Sequence, residues 1–401
     1  VIVAAPVAAP ESGSPGVRDD RGALITHVEI QNYKSVRKLD LELGRVNVFI
    51  GENGSGKSNI LEALALGAAA SRDKLDHEYL VVRGVRMTQP ALMLPAFAPE
   101  PDGGTTSAES TWGPAIRIDY ARGVEERRAV IIAPVDDEVD GPSWMVADSE
   151  GDSFRQFIGE LSGAGASSSR PTSVLPLGVR LFEIPAFVTY APEYSALRRF
   201  EEEGALRPLG VRGEGLLEHL QELAAQPGAP AIATINEHLA LLDWFERLEV
   251  PSPDLAGRAL RLRDRFLAEG VVFDQRSANE GFLFLLFYLT LVISPRTPRF
   301  FAIDNLDTSL NPKLCQALMS SLVTLAKRHR KQLIVTTHNP SVLDGLDLHD
   351  DEQRLFVIAR DDDGATQAHR MSPPKRLGDE PPVRLSTAFL RGYLGGLPKN
   401  F

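Results

Sequence analysis

Between residues 24 and 70 the pattern of apolar positions changes twice. Residues 24–32 (LITHVEIQN) alternate as a half-buried strand does. Residues 46–50 (VNVFI) are a short apolar run closed by Gly51, which predicts a strand buried on both faces. Residues 57–69 (KSNILEALALGAA) predict a helix, with Ile60, Leu61, Leu64 and Leu66 supplying the apolar stripe. Downstream, 115–120, 128–134 and 144–147 are successive short strand-like runs between polar turns, and predict an antiparallel patch. Ile184–Tyr190 also reads as a strand. From 194 to 268 the spacing is helical. In 231–248, Ile232, Ile235, Leu239, Leu242 and Phe245 recur at steps of three or four. Residues 282–293 predict an apolar helix. Phe300–Ile303, Leu333–Thr336 and Leu355–Ala359 predict buried strands, with a helix carrying Leu314, Leu318, Leu322 and Leu325 between the first two. Strand, helix and strand in alternation predict a parallel sheet, so the expected fold class is α/β.

The segments that lack a period frame this pattern. Residues 1–22 are rich in Ala, Pro, Gly and Ser and read as a flexible tail; 89–113 and 162–173 read as loops. Both ends of the ordered chain therefore look α/β, with an antiparallel patch and a helical block between them. The 401 residues are 43% hydrophobic and 24% charged, which excludes a wholly disordered chain. A net charge of −11 excludes a globally basic nucleic-acid coat, though not a local basic groove. A single cysteine, Cys315, excludes an intrachain disulfide and a cysteine metal cluster. The run from Gly281 to Pro295 is shorter than the roughly 20 apolar residues of a membrane span. Val1–Pro10 lacks the basic region of a signal peptide. A cytoplasmic protein with no membrane partner is expected.

The chemistry concentrates at three places. Gly51-Glu52-Asn53-Gly54-Ser55-Gly56-Lys57-Ser58 matches G-x-x-x-x-G-K-[ST], with a predicted strand before it and a helix after it. Such a loop turns backbone N–H groups inward on a phosphate. Lys57 can reach the β- and γ-phosphates, and the Ser58 hydroxyl can ligate Mg²⁺. The strand Phe300–Ile303 ends in Asp304, placed as a Walker B carboxylate for the same cation. The strand 333–336 leads to Thr337 and His338, where an imidazole can sense the γ-phosphate.

The run NYKSVRKLDLELGRVNVFIGENGSGKSNILEAL resembles the N-terminal lobe of the SMC/RecF/OLD-type ABC ATPases, and FFAIDNLDTSLNPKLCQALMSSL…KQLIVTTHNPSVLD resembles their C-terminal lobe. The resemblance covers roughly residues 23–70 and 270–350. It implies a P-loop NTPase of ABC type, with a mainly parallel sheet, an antiparallel β patch and an inserted helical arm. The expected division is a tail at 1–22, an N-terminal ATPase lobe at 23–150, a mainly helical arm at 151–269 and a C-terminal ATPase lobe at 270–401. It implies ATP and Mg²⁺ as ligands, held by Asn53, Gly54, Ser55, Gly56, Lys57 and Ser58. It also implies a head-to-tail dimer in which a signature motif from the second protomer closes on the γ-phosphate. The matching stretch is Ser277, Asn279 and Gly281; which of Ser277 and Asn279 faces the phosphate stays open. Asp307 matches the D-loop. Glu193, after the strand 187–190, stands where the family often carries the glutamine that reaches the metal, and a turn-forming Pro-Glu is the alternative. Lys57, Asp304, Asn305 and His338 are the expected catalytic set. Asn305 departs from the family, which has Glu there; an amide orients water but accepts no proton, so slow hydrolysis is expected.

The resemblance points toward stand-alone ATPases of phage defence or genome maintenance. The leading expectation is an ATP-driven switch controlling a nucleic-acid-directed effector or nuclease partner, with DNA or RNA as a further ligand. A slow or non-hydrolysing sensor that scaffolds an effector is the alternative, and an ABC transporter subunit is the third reading. Two basic stretches, Lys327–Lys331 and the arginines 258, 261, 263 and 265 beside Arg198 and Arg199, read as solvated faces before they read as nucleic-acid grooves.

Overall fold

The computed structural model describes residues 24–95, 115–123, 126–137, 141–148, 154–157, 184–199, 206–251, 259–373 and 383–394. The tail at 1–22, the loop at 162–173 and Arg258 lie outside them, as does most of 89–113.

The chain opens with β1 (His27–Tyr33), β2 (Val36–Glu42) and β3 (Val46–Ile50), then α1 (Lys57–Ala70), α2 (His77–Val81) and α3 (Pro90–Met93). The strands β4 (Ile116–Arg122), β5 (Glu126–Asp137), β6 (Gly141–Asp148) and β7 (Phe154–Phe157) follow. Next come β8 (Thr189–Tyr190), α4 (Tyr194–Arg198), α5 (Leu216–Ala224), α6 (Pro230–Leu239), β9 (Phe245–Glu249) and β10 (Arg261–Asp264). The last third holds α7 (Glu280–Ile293), β11 (Phe300–Ile303), α8 (Pro312–Arg328), β12 (Gln332–Thr337), a 3-10 turn (Pro340–Gly345), β13 (Gln353–Arg360), β14 (Thr366–Arg370) and α9 (Leu385–Leu390).

Two six-stranded sheets organise these elements. One is antiparallel, in the order β2-β1-β4-β5-β6-β7. The other runs β14-β13-β3-β12-β11-β8 and is parallel except where β14 joins β13. Strands β3, β11 and β12 are buried at every residue, which is why they read as continuous apolar runs. Their side chains alternate between two cores. Phe49, Phe300, Ile334 and Phe356 point to α1 and the antiparallel sheet. Val48, Phe301, Val335 and Leu355 point to α7 and α8. The parallel sheet is thus the middle layer, closed on both faces by helices or by a second sheet. Helix α7 is apolar on all sides because α4, α6 and α8 surround it.

Two sequence expectations change. The helical expectation over 194–268 is met only by α4, α5 and α6; Phe245 belongs to the β9–β10 hairpin, where Phe245, Leu248 and Leu262 are buried and a register shift at Arg263/Asp264 lets Phe245 and Leu248, three residues apart, both turn inward. Ile184–Tyr190 is a strand only at its last two residues, although Ile184, Phe187 and Val188 are buried. Pro185 has no N–H to donate to a ladder. The helices α4, α5 and α6 do not stand apart: Leu197, Leu217, Leu220 and Ile235 share one hydrophobic core with α7 and the parallel sheet.

Candidate functional site

Four parallel strands, β3, β11, β12 and β13, end on the same side, and a cleft of about 340 Å³ opens there. In open α/β sheets ligands bind at the carboxyl ends of strands. Asn53, Gly54, Ser55, Gly56, Lys57 and Ser58 line the cleft from the loop after β3. Asp304 and Asn305 enter after β11, His338 after β12, and Arg360 is the last residue of β13. Asn59 and Arg86 complete the wall.

The glycine-rich loop has no room for other residues at its tight points. A Cβ on Gly51 would lie 2.0 Å from the Ile358 carbonyl oxygen, and one on Gly56 would lie 2.0 Å from Thr366 Oγ1. Gly56 also has φ of 105°, the left-handed region that favours glycine, where it starts α1. A hydroxyl relay fixes the loop from behind. Asn59 Nδ2 donates to Ser35 Oγ at 2.7 Å, Ser35 and Thr366 hydroxyls bond at 2.7 Å, and Thr366 Oγ1 donates to the Ser55 carbonyl at 3.1 Å. One proton per hydroxyl means that Ser35 donates to Thr366. On the open side, Arg360 Nε donates to the Gly54 carbonyl at 2.8 Å.

Lys57 is nearly buried and folds back on its own loop. Its Nζ donates to the carbonyls of Gly51 at 2.8 Å and Glu52 at 2.9 Å. Burial pushes its pKa down to about 8, against the pull of Asp304, Asp307 and Glu52. An anion in the cleft offers the ammonium a stronger partner than two neutral carbonyls. Opposite it, Ser58 Oγ lies 3.5 Å from Asp304 Oδ2. A serine hydroxyl and a carboxylate are hard oxygen donors, and this pair fits a hard divalent cation shared with phosphate oxygens. The other Asp304 oxygen accepts a hydrogen bond from Thr336 Oγ1, which in turn accepts the Asn305 N–H at 2.9 Å.

Asn305 is exposed on the cleft wall with φ of 54°, a left-handed conformation that Asn tolerates better than most residues. His338 is pushed below its ordinary pKa by burial and by the Lys57 charge, against Asp307, Asp304 and the Gly51 backbone. That direction favours the neutral ring. Arg86 reaches the wall while ion-paired to Glu62, a buried carboxylate that also takes Lys34.

The remaining sequence candidates lie elsewhere. Asp307 is not on the cleft wall; its Oδ1 accepts Thr337 Oγ1 at 2.6 Å and the His338 N–H at 3.2 Å. Asn279 caps α7 by accepting the Phe282 N–H at 2.8 Å, and Ser277 turns its hydroxyl to Asp274. Both are exposed, and neither they nor Gly281 line the cleft of their own chain. Glu193 is exposed at the start of α4 and also stands off the cleft. Sequence reasoning missed Asn59, Arg86, Arg360, Thr336 and the Ser35–Thr366 pair. Arg360 carried a usable signal, being a charged residue at the carboxyl end of a buried strand. Arg86 carried none.

Parts of the basic stretches are neutralised or buried, whereas Lys327, Arg328, Arg330, Arg198 and Arg199 are exposed. On the hairpin, Arg261, Arg263 and Arg265 pair with Glu249, Glu246 and Asp243. Lys331, in the 327–331 run, is buried, donates to Thr297 and Pro298, and is pushed down to about 7 by burial. Among the described residues no helix is long and apolar enough to cross a membrane.

Comparison with known proteins agrees with this geometry. The family described as "AAA ATPase domain" matches residues 24–83, and "AAA domain, putative AbiEii toxin, Type IV TA system" matches 221–344. The chain is 30% identical over 129 residues to the DNA replication and repair protein RecF of Lactobacillus acidophilus, covering 29% of this chain and 32% of that protein. It is 40% identical over 67 residues to an uncharacterised protein of Methanocaldococcus jannaschii, covering 15% and 31%. The chain thus spans about a third of the length of these relatives. Among solved structures, an Smc head bound to the C-terminal winged-helix domain of ScpA superposes with a TM-score of 0.50 at 14% identity, over 87% of this chain and 98% of that one. That likeness carries the fold. With the P-loop, the strand-end aspartate and His338 gathered at one cleft, the chain has the fold of an SMC head and is similar in its motifs to the SMC/RecF-type ABC ATPases.

Proposed function

We propose that the chain binds ATP with Mg²⁺ in the cleft and acts as a switch that dimerises head to tail on the nucleotide, controlling a nucleic-acid-directed partner. The observation that carries this reading is a split between two surfaces. Lys57, Ser58, Asp304 and His338 share the cleft, whereas Ser277, Asn279 and Gly281 are outside it at the start of α7. A phosphate site completed by a second copy needs that separation. Lys57 leaves its two carbonyls for the β- and γ-phosphates. Arg86 and Arg360 add positive charge for a polyanion. Ser58 and Asp304 would hold the Mg²⁺, which supplies charge neutralisation at the phosphates. His338, uncharged, faces the γ-phosphate as its sensor.

Turnover is slow in this reading because Asn305 replaces a carboxylate beside the attacking water. That favours a long-lived ATP state and a signalling role, in repair or anti-phage defence, over a cycling motor. The test is calorimetry with ATP and Mg²⁺ on the wild type and on Lys57→Ala. Binding by the wild type and at least about 100-fold weaker binding by the variant is expected, as for a lost charge-assisted contact in a desolvated site. Unchanged affinity in Lys57→Ala would overturn the assignment.

A further inference from the structure

Thr336 and Thr337 are the last two residues of β12, the strand that pairs with β3 on one side and β11 on the other. Both are fully buried. A buried hydroxyl must be hydrogen-bonded, and consecutive strand residues point to opposite faces, so the pair can grip two different groups. Each takes an aspartate. Thr336 Oγ1 donates to Asp304 Oδ1 and accepts the Asn305 N–H, while its carbonyl accepts the Leu306 N–H at 3.0 Å. The whole turn 304–306 is thereby pinned to one residue of the neighbouring strand. An aspartate side chain is loosely held about its terminal torsion. A hydroxyl fixed on Oδ1 leaves Oδ2 turned toward Ser58 Oγ. Thr337 Oγ1 donates to Asp307 Oδ1 and accepts the Asn339 N–H at 3.0 Å. The adjoining His338 N–H reaches the same aspartate oxygen.

We propose that Thr336 and Thr337 are positioning residues with separate tasks: Thr336 orients Asp304 for the divalent cation, and Thr337 ties Asp307 to the peptide that carries His338. The proposal rests on the nucleotide-switch reading above. Its distinctive content is that two adjacent hydroxyls, buried alike, have different consequences. Removing the first alters how the cation adds to nucleotide affinity. Removing the second alters the link between the D-loop and the switch histidine, and with it the ATP-driven association of two copies.

The test measures ATP affinity by calorimetry, with Mg²⁺ and with a chelator, and ATP-dependent mass by light scattering. It uses the wild type, Thr336→Val, Thr336→Ser and Thr337→Val, with Thr336→Ala in place of the valine variant should that one not fold. Thr336→Val should lower the Mg²⁺-dependent gain in affinity about tenfold or more, the range for a lost hydrogen bond to a charged group, and leave the chelator value unchanged. Thr336→Ser keeps the hydroxyl and should restore the gain. Thr337→Val should keep the gain and weaken dimerisation by a similar factor. A Thr336→Val protein with the wild-type gain, or identical profiles for the two valine variants, overturns the proposal. A wild type that binds no ATP would instead overturn the switch reading itself.

Discussion

At residue 305 two constraints meet. The position follows Asp304 at the cleft, where a carboxylate would polarise the attacking water, and its backbone lies at φ of 54°. Asn satisfies the backbone and, in the proposed reading, gives up the base. Asn305→Glu should therefore raise the single-turnover rate of ATP hydrolysis about tenfold or more with little change in ATP affinity, because the added interaction is made mainly in the transition state. It should also cost about 1 kcal/mol of stability, the penalty for a side chain ill-suited to the left-handed region. Rapid-quench assays at saturating ATP, with a thermal melt beside them, measure both. A wild-type rate that falls on substitution would make Asn the evolved water-positioning group. The sequence shows Asn305 where the family resemblance implies a carboxylate. The left-handed backbone was not legible there, nor were the partners that hold the site. Thr366 lies 311 residues from Ser55, and no local spacing connects them.

At the scale of elements, α5 is fastened to the end of α7 by a polar chain that runs from buried His219 and Ser294 out to exposed Arg296. His219 Nδ1 bonds Glu222 at 2.9 Å, and His219 Nε2 bonds Ser294 Oγ at 2.7 Å. Glu222 also pairs with Arg296, and the Arg296 N–H donates to Ser294 Oγ at 3.1 Å. Burial favours the neutral ring, in which Nδ1–H donates to Glu222 and Nε2 accepts the Ser294 O–H. Burial holds the His219 pKa below its ordinary 6.5, opposed by Glu222 and aided by Arg296 and Lys331. The unfolded chain then binds the proton more readily than the folded one. The stability due to neutral His219 is full above about pH 6.5 and is lost as the pH falls below it. His238, His329 and His338 are depressed in the same direction and steepen the trend. Thermal melts between pH 7.5 and 5 should show a falling midpoint, with a shallower fall in His219→Gln; equal slopes would contradict this account. The elements themselves were mostly legible. Strand β3 and helices α1, α7 and α8 lie where the apolar periods place them, because burial on both faces, or on one stripe, leaves an unambiguous pattern. The β9–β10 hairpin was not, because Leu239, Leu242 and Phe245 are spaced three apart by arithmetic while the chain turns between them.

In the proposed switch, the whole molecule presents two halves of a site. The cleft carries Lys57, Ser58, Asp304 and His338. Another surface carries Ser277, Asn279 and Gly281, with Glu280 hydrogen-bonded to Ser309 Oγ at 2.9 Å and so tied to the loop that holds Asp307. Under that proposal the cleft of one copy would be completed by the α7 surface of another, and ATP would shift the association only through its higher affinity for the closed pair. The most direct measurement is the mass of the wild-type chain in solution, by light scattering, with and without ATP and Mg²⁺. The account predicts a 43.8 kDa monomer without nucleotide, a species of twice that mass with it, and no shift for Lys57→Ala. A wild-type mass that ATP leaves unchanged would contradict it.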